Sequence, residues 1–494
     1  MLALLMALAA SAAEVQGQRL EGTVVDQSGA PVAGAEVVLE RAASAALTAK
    51  TDGDGRFVID AENPTGVRLV IRAEGFAVAE QLLTEWASAP QPLQIVLRPA
   101  LVVERVTVTA SRTETRLNET AASILLISAK DLALTPAVTI DDALRQVPGF
   151  TLFRRSGSRT SNPTAQGVSL RGVGASGASR ALVLADGVPL NDPFGGWIYW
   201  GRVPRESISR VEVLRGGASD LYGSAGLGGV INILTKNLTE DYAVSFEADY
   251  GNQRTPNSSI FASKRFDSWA ASISAEGFYT DGYVIVDKQE RGQVDTSAGS
   301  KHTALNMALQ RFLPGDGRAF IRGNIYGEAR ENGTPLQTNR THIRQLIGGA
   351  EWTSNSLGAF STRAYVGDQI YDQDFSAVAQ NRDSESLTRS QRVPSQSAGF
   401  TAQWARAVGS RNNLVAGVDA REVRGASDER VFVANRVSSL IGAGGRERTI
   451  GVFGQDVIRA TNKLIITAGA HWMTVGEITM RSLWAAPSRR FRKR

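Results

Sequence analysis

The residues whose types and spacing could carry chemistry fall into three groups. The first is the glycine-crowded run Val211–Lys236, VEVLRGGASDLYGSAGLGGVINILTK. Such runs can cradle phosphate, but a P-loop also needs G-x-x-x-x-G-K-[ST], because its Lys and hydroxyl reach the phosphates and Mg²⁺. No Lys-Ser or Lys-Thr follows these glycines. A dinucleotide fingerprint needs a helix after the glycines, with its N-terminus against the pyrophosphate. Here Val230-Ile231-Asn232-Ile233-Leu234 follows, a β-branched run that reads as a strand. The glycines therefore join strand to strand and supply tight turns and close backbone approach. The second group is Asp52-Gly53-Asp54-Gly55, which has the look of a calcium loop. An EF-hand loop needs more ligands and a bidentate Glu at its twelfth position, so a hairpin turn is expected instead. The third group is His302, His342 and His471, none of them in H-E-x-x-H spacing. The chain has no cysteine, which excludes disulfides and thiolate metal sites. No catalytic residue, metal site or cofactor is expected.

The elements that position these residues begin with a chain of 494 residues, enough for two to four domains. The net charge of +5 suggests nucleic acid, but the last fourteen residues, RSLWAAPSRRFRKR, hold six basic residues and no acid. Without them the chain is close to neutral, so no nucleic-acid partner is expected. The start, MLALLMALAASAAEVQG, reads as a signal-peptide apolar region with an A-x-A-type cleavage site near Ala10–Ala13. It lacks a basic n-region, for which a mis-assigned start codon is the alternative. No later run is long and apolar enough for a membrane-spanning helix.

Residues 19–98 alternate through LEGTVVD, EVVLE, VRLVIRAEGF and LQIVLRP with Gly/Pro/Asp turns between, which predicts a small β-sandwich. Residues 100–118 carry the β-branched run Val106-Thr107-Val108-Thr109 in a polar setting. It is either one more edge strand or an exposed strand held for a partner to pair with through main-chain bonds. Residues 119–236 read as an α+β domain. Ser123–Ser128 is a strand, Thr139-Ile140-Asp141-Asp142 opens a helix that Pro148-Gly149 ends, and Asp186-Gly187 turns a hairpin.

Residues 241–494 change character. Tyr242, Val244, Phe246, Ala248 and Tyr250 alternate with Ala243, Ser245, Glu247 and Asp249. Trp269, Ala271, Ile273 and Ala275 alternate with Ala270, Ser272, Ser274 and Glu276. Ile321, Ile325 and Ala329 oppose Arg322, Asn324, Tyr326, Glu328 and Arg330, and Leu464–Trp472 repeats the pattern. Segments of about ten residues, apolar on one face and polar on the other, are the mark of an outer-membrane β-barrel with lipid outside and a polar lumen. A soluble sandwich is the alternative, but it would bury more Leu, Ile and Phe.

The motifs ERVTVTASR, TIDDALRQVPGF, VSLRGVG, RALVLADGVPLND and SRVEVLRGGASDLYGSAGLGGVINILTK resemble, in order and spacing, the plug region of TonB-dependent outer-membrane receptors. G-x-V-x-D-x-x-G-x-P-x-x-G-A followed by T-D-x-D-G-x-F resembles the carboxypeptidase-regulatory-like domain, an accessory module that does not make the chain a peptidase. The resemblance implies a mainly β chain: signal peptide (1–13), N-terminal β-sandwich (19–98), TonB box and linker (100–118), α+β plug (119–236) and a partial antiparallel transmembrane β-barrel (241–494). It implies energised uptake of a scarce small-molecule ligand, with a ferric siderophore or similar chelate foremost, across the outer membrane of a Gram-negative-type bacterium. The TonB box would be Val103, Glu104, Arg105, Val106, Thr107, Val108, Thr109 and Ala110, taken as an added strand by TonB and its inner-membrane energising complex. Outer-membrane lipid and the barrel-assembly machinery are the other implied partners. Arg171 and Arg215, in the two R-G motifs, would pair with barrel carboxylates. Arg154, Arg155, Ser158, Arg159 and Asn162 form one candidate ligand-binding apex. Asn191, Phe194, Trp197, Tyr199 and Trp200 form a second, whose aromatics would stack on ligand. Ordinary packing in the lumen is the alternative for both.

Two departures qualify the resemblance. Receptors of this class have barrels of about 22 strands around a plugged lumen, whereas residues 241–494 leave room for about twelve or thirteen. The tail after Trp472 does not alternate, so a C-terminally incomplete barrel, from a fragment or a broken reading frame, is expected, with transport lost. A TonB-coupled signalling receptor and a surface glycan-binding or adhesion protein are the competing functions. Missing His-ligand spacing argues against a peptidase.

Overall fold

The computed structural model describes residues 18–41, 44–61, 67–73, 76, 79–83, 92–97, 107–108, 115–116, 122–153, 156–170, 177–315, 317–354, 356–409, 411–461, 464–476 and 481–485. The signal segment, most of Val103–Ala110, the candidate residues Arg154, Arg155 and Arg171, and the basic tail beyond 485 lie outside the described residues. The chain divides into two compact units, residues 1–106 and 107–494.

The first unit is the expected β-sandwich. Its strands are β1 (Gln18–Asp26), β2 (Glu36–Arg41), β3 (Ser44–Lys50), β4 (Arg56–Ala61), β5 (Val67–Arg72), β6 (Ala79–Leu83) and β7 (Leu93–Leu97). They form two sheets, ordered β4-β1-β7 and β3-β2-β5-β6. Alternate residues of both sheets, among them Leu20, Val37, Leu39, Ile59, Leu69 and Ile95, close one apolar core. Asp52 is consumed by its own turn. Its Oδ1 accepts the Asp54 N–H at 3.0 Å and the Arg56 N–H at 2.8 Å, and Gly55 sits at φ 73°. Among the described residues, no group of three or more His, Cys, Asp or Glu side chains could hold a metal ion.

The second unit begins with a short antiparallel pair, β8 (Thr107–Val108) and β9 (Thr115–Arg116). An α+β domain follows: β10 (Ser123–Ser128), α1 (Ala129–Leu134), α2 (Ile140–Leu144), β11 (Phe150–Leu152), β12 (Val168–Leu170), β13 (Leu182–Ala185), β14 (Val188–Pro189), β15 (Ile208–Arg215), α3 (Ser219–Tyr222) and β16 (Val230–Thr235). Its main sheet runs β10-β15-β16-β13-β14. β16, VINILT, reads as a nearly continuous apolar run, and in β15 even Glu212 is buried, because both faces of this sheet are covered. Val183, Val211, Val213, Ile231 and Ile233 pack with Ile127 and Leu144 in its core. The glycine run joins these two antiparallel strands, Val213 opposite Ile231, as its composition implied. Gly229, at φ 113°, lies where a Cβ would stand 2.6 Å from the Leu214 carbonyl oxygen.

Two helix expectations need correction. α2 starts where Thr139 predicts, yet the Thr139 side chain makes no capping bond. Its hydroxyl instead donates to Asp142 Oδ2 at 3.2 Å, and the helix ends at Leu144 rather than at Pro148-Gly149. The capping box forms one helix earlier. Ser128 Oγ accepts the Asp131 N–H, and Asp131 accepts the Ser128 N–H.

The wall is one antiparallel sheet of twelve strands among the described residues: β17 (Tyr242–Gly251), β18 (Thr255–Phe266), β19 (Trp269–Tyr283), β20 (Ala298–Leu313), β21 (Gly317–Glu331), β22 (Thr338–Ser354), β23 (Gly358–Val378), β24 (Glu385–Val408), β25 (Asn412–Val433), β26 (Arg436–Thr461), β27 (Leu464–Gly476) and β28 (Arg481–Ala485). β17 to β27 pair in chain order, and β28 pairs with β26. The alternation holds throughout. Val244, Phe246, Ile273, Ile325 and Ile466 face outward and exposed, while Ala270, Ser274, Glu328 and Arg330 face inward and are buried. Ten residues suffice to cross the hydrocarbon, and β17 has ten. β23 to β26 have 21 to 26 residues and so extend well past the apolar zone. On one rim successive strands are separated by two or three residues, as between β18 and β19 at 267–268, while the other rim carries the short connections 252–254 and 434–435 together with the longer ones 284–297, 332–337 and 379–384. In outer-membrane barrels short turns face the periplasm and long loops face outside, which orients the sheet.

Because the chain has no native cysteine, the alternation can be read residue by residue. A fluorophore on a single cysteine at Phe246 or Ile273 should be quenched by brominated acyl chains, and one at Glu247 or Ser274 should not. Equal quenching at both sets would contradict the two-faced wall.

Candidate functional site: the seam between the α+β domain and the wall

The α+β domain is held to the inner face of the wall by polar contacts at three levels. At the level of the long loops, the segment 156–166 meets β20 and β21. Ser300 Oγ donates to the Arg159 carbonyl at 2.6 Å. Arg330 donates to the carbonyls of Ser158 and Ser161, and pairs with Glu328 at 2.7 Å, both side chains being buried. Ser158 Oγ in turn donates to the buried Asp141 at 2.8 Å. Asn162 Oδ1 accepts the Thr164 N–H at 3.1 Å and the Tyr371 hydroxyl at 3.4 Å. Of the first candidate apex, Ser158, Arg159 and Asn162 are thus part of this seam.

At the middle level lies the loop Asn191–Trp200, and here the structure corrects the expected role. Trp197, Tyr199 and Trp200 are buried, with Tyr199 only 1% exposed. Trp197 lies 5.5 Å from Tyr371, and Tyr199 lies 5.9 Å from Tyr326, ring centre to ring centre. Trp200 belongs to the domain's own core. These rings are covered by wall and domain, so packing takes the surface that ligand stacking would need. Asn191 is a backbone tie: its Oδ1 accepts the Val183 N–H at 2.8 Å. Asp192 sets the loop by accepting the Phe194 N–H at 2.9 Å and the Gly195 N–H at 2.6 Å, and it bonds Gln369 of β23. Phe194 is the exposed member, and its ring lies over Gly425 of β25.

Nearer the short-turn rim, Arg205 does what was expected of the R-G arginines. Its N–H donates to Glu276 Oε2 at 2.7 Å, its Nε pairs with Glu247 Oε2 at 3.2 Å, and its Nη atoms reach the Leu132, Thr135 and Ala137 carbonyls at the end of α1. Glu276 also bonds His302 Nε2 at 3.1 Å. His302 lies directly over Gly201, where a Cβ would stand 2.5 Å from Nε2. Arg215, in contrast, donates to Ser123 Oγ at 2.8 Å across the β10–β15 pair, inside the domain. Asp186, at the predicted hairpin tip with φ 47°, accepts the Thr235 N–H at 3.0 Å and pairs with Arg322 of β21. A cavity of about 1600 Å³ opens here between domain and wall, lined among others by Asp186, Arg322, Glu351, Arg363, Asp419 and Arg421. Arg202, which donates to the Leu190 carbonyl and to Gln345 Oε1 of β22, both at 3.2 Å, was missed as a seam residue, as were Arg205, Asp192 and His302. The only sequence signal was on the wall side, where alternation already set Glu247, Glu276, Arg322, Glu328 and Arg330 on the inner face.

On the outer rim, Arg382 donates to both oxygens of Asp295, with Nε at 3.0 Å and 2.8 Å. The Val294 N–H donates to the Arg382 carbonyl at 3.1 Å, and the Thr296 N–H to the Gly333 carbonyl at 2.9 Å, so three loops are clasped together. The guanidinium holds the Asp295 carboxyl down at about 2.

A two-faced antiparallel wall with an α+β domain docked on its polar face defines a plugged outer-membrane barrel. Comparison with known proteins agrees. Residues 116–230 match the TonB-dependent receptor plug domain, and residues 19–120 match the carboxypeptidase regulatory-like domain. The vitamin B12 transporter BtuB of Vibrio vulnificus is 34% identical over 189 residues, which is 38% of this chain and 30% of that protein. BtuB of Vibrio cholerae is 32% identical over 149 residues, 30% of this chain and 23% of that protein. The ferric yersiniabactin uptake receptor FyuA of Yersinia pestis superposes with a TM-score of 0.59 at 17% identity, covering 74% of this chain and 60% of that one. The ferric-catecholate import receptor Fiu of E. coli superposes with a TM-score of 0.55 at 12% identity, covering 75% of this chain and 67% of that one. The chain therefore carries a TonB-dependent receptor plug domain at 116–230 and a carboxypeptidase regulatory-like domain at 19–120, and its fold is that of the TonB-dependent outer-membrane receptors. It spans under a third of the curated relatives' length.

Two expected outcomes follow from the seam and one from the clasp. Arg330→Gln breaks a buried pair and should cost about 3–5 kcal/mol, read as faster amide exchange in 156–166. Gly201→Val should displace His302 and loosen α1 and the 199–205 segment without unfolding the wall. Asp295 has a depressed pKa, so the clasp is complete above the ordinary carboxyl range and is lost as pH falls from about 4 to about 2. Proteolysis of the 284–297 loop should be unchanged from pH 7 to 5. Asp295→Asn should show at pH 7 the cleavage that the native chain shows only in strong acid.

Proposed function

We propose that this chain acts in TonB-coupled, energised uptake of a scarce metal chelate across the outer membrane, with a ferric siderophore as the first candidate ligand. The observation that carries this reading is the seam itself. The plug keeps its own apolar core and meets the wall through hydrogen bonds, ion pairs and two small apolar patches, and the cavity beside Asp186 and Arg322 already separates the two on the periplasmic side. Such contacts can be exchanged for water at modest net cost, as displacement of a plug requires. A second reading, cobalamin, is favoured by the sequence relatives, which are vitamin B12 transporters; cobalamin is also a metal chelate. TonB would take Val103–Ala110 as an added strand, with Thr107 and Val108 released from their pairing with β9.

The test is uptake of radiolabelled ferric siderophores and of cobalamin by cells expressing the chain, with and without TonB. TonB-dependent accumulation of one of them supports the proposal, and its identity decides between the two ligands. Val108→Pro removes a strand N–H and should abolish accumulation while surface binding persists. Accumulation that is equal without TonB, or binding with no accumulation in either strain, would overturn it.

A further inference from the structure

The outer face of the wall carries a charged row where lipid is expected. One line of hydrogen-bonded neighbours crosses six strands outward-facing, Ile325, Arg344, Asp368, Gln396, Arg424 and Arg446. The neighbouring line toward the short-turn rim runs Gly323, Leu346, Val366, Ala398, Glu422 and Arg448. The face thus changes within one strand step from exposed apolar side chains, Leu346 at 49% and Val366 at 55%, to arginines. A shallow cleft of about 620 Å³ lies across this border, lined by Leu346 and Val366 and by Arg344, Asp368, Glu422 and Arg424, with Arg446 and Arg448 beside it. Arg424, Arg446 and Arg448 converge on one carboxylate, Glu422, at 2.6, 2.8 and 2.6 Å. Arg344 makes no ion pair among the described residues. Around the cleft four arginines therefore face two carboxylates, Asp368 and Glu422, and the excess is positive.

Arginine on the lipid face of a barrel is destabilising at depth and close to neutral only near the interface, where it finds anionic headgroups. Guanidinium groups match phosphate oxygens in pairs, and basic pockets beside apolar surface suit phosphorylated headgroups. We propose that this cleft is a binding site for a phosphate-bearing lipid of the outer leaflet. Its phosphate would sit on Arg344, Arg424, Arg446 and Arg448, and an acyl chain would lie along Leu346 and Val366. The site faces away from the lumen, so it is independent of the transported ligand.

The experiment uses the full chain in dodecyl maltoside micelles, with diphosphorylated lipid A as probe and retention read by native mass spectrometry. Retention should fall about tenfold for dephosphorylated lipid A and for the double variant R344Q/R424Q, and less for R344K/R424K, which keeps the charge. Millimolar inorganic phosphate should not displace the lipid. Equal retention of both lipids, equal retention by R344Q/R424Q, or displacement by inorganic phosphate would overturn the proposal; the last would mark a plain anion site. The lysine variant separates loss of charge from loss of fold.

Discussion

Hydrocarbon offers no hydrogen-bond partner to a peptide group, and this constraint governs the whole second unit. It makes the wall a sheet whose neighbours pair in chain order. The two faces of each strand must then satisfy opposite solvents, which the strict period of two in β17, β19, β21 and β27 accomplishes. A polar inner face creates a second demand, since Glu276, Glu328 and Arg330 of the wall and Asp192 of the docked domain are all removed from water. Each has at least one hydrogen-bond partner across the seam or beside it.

The apolar and polar contributions are divided between two tasks. The plug folds around its own cluster of aliphatic residues on β13, β15 and β16. Its contact with the wall uses two small apolar patches, around Tyr326 and Tyr371 and around Leu221 and Phe453, and otherwise polar bonds. Docking is therefore specific without being a second hydrophobic core. The buried Glu328–Arg330 pair fits this division, because such pairs define register more than they add stability. The outer face shows the complementary case, where arginines without enough protein carboxylates sit at the edge of the apolar band.

The glycine run Val211–Lys236 has one job at two scales. Locally, Gly216, Gly223 and Gly229 take positive φ and let β15 return as β16. At the tertiary scale its short helix meets the wall through Leu221 against Val415 and Phe453, and through Asp220 to Gln455 at 2.5 Å. A bulky residue at these glycines would prevent both.

Much of this was legible in the sequence because it is written in local periodicity and turn chemistry. The alternation of Tyr242–Tyr250 set which residues meet lipid, the Asp186-Gly187 pair set a hairpin, and the β-branched runs around the glycines set two strands. These depend on neighbours within a few residues, and period two leaves no freedom about which face a side chain takes. What the tertiary structure alone decided is which inward groups meet. Arg205 rather than Arg215 reaches Glu247 and Glu276, because Arg215 lies within the plug sheet opposite Ser123 while Arg205 lies at the turn that touches the wall. The rings of Trp197, Tyr199 and Trp200 looked available for a ligand in the sequence, but the wall covers Trp197 and Tyr199 and the plug's own core takes Trp200. Seam partners such as Arg205 and Glu276 lie some seventy residues apart, and no local pattern records a contact made by two elements only after each has folded.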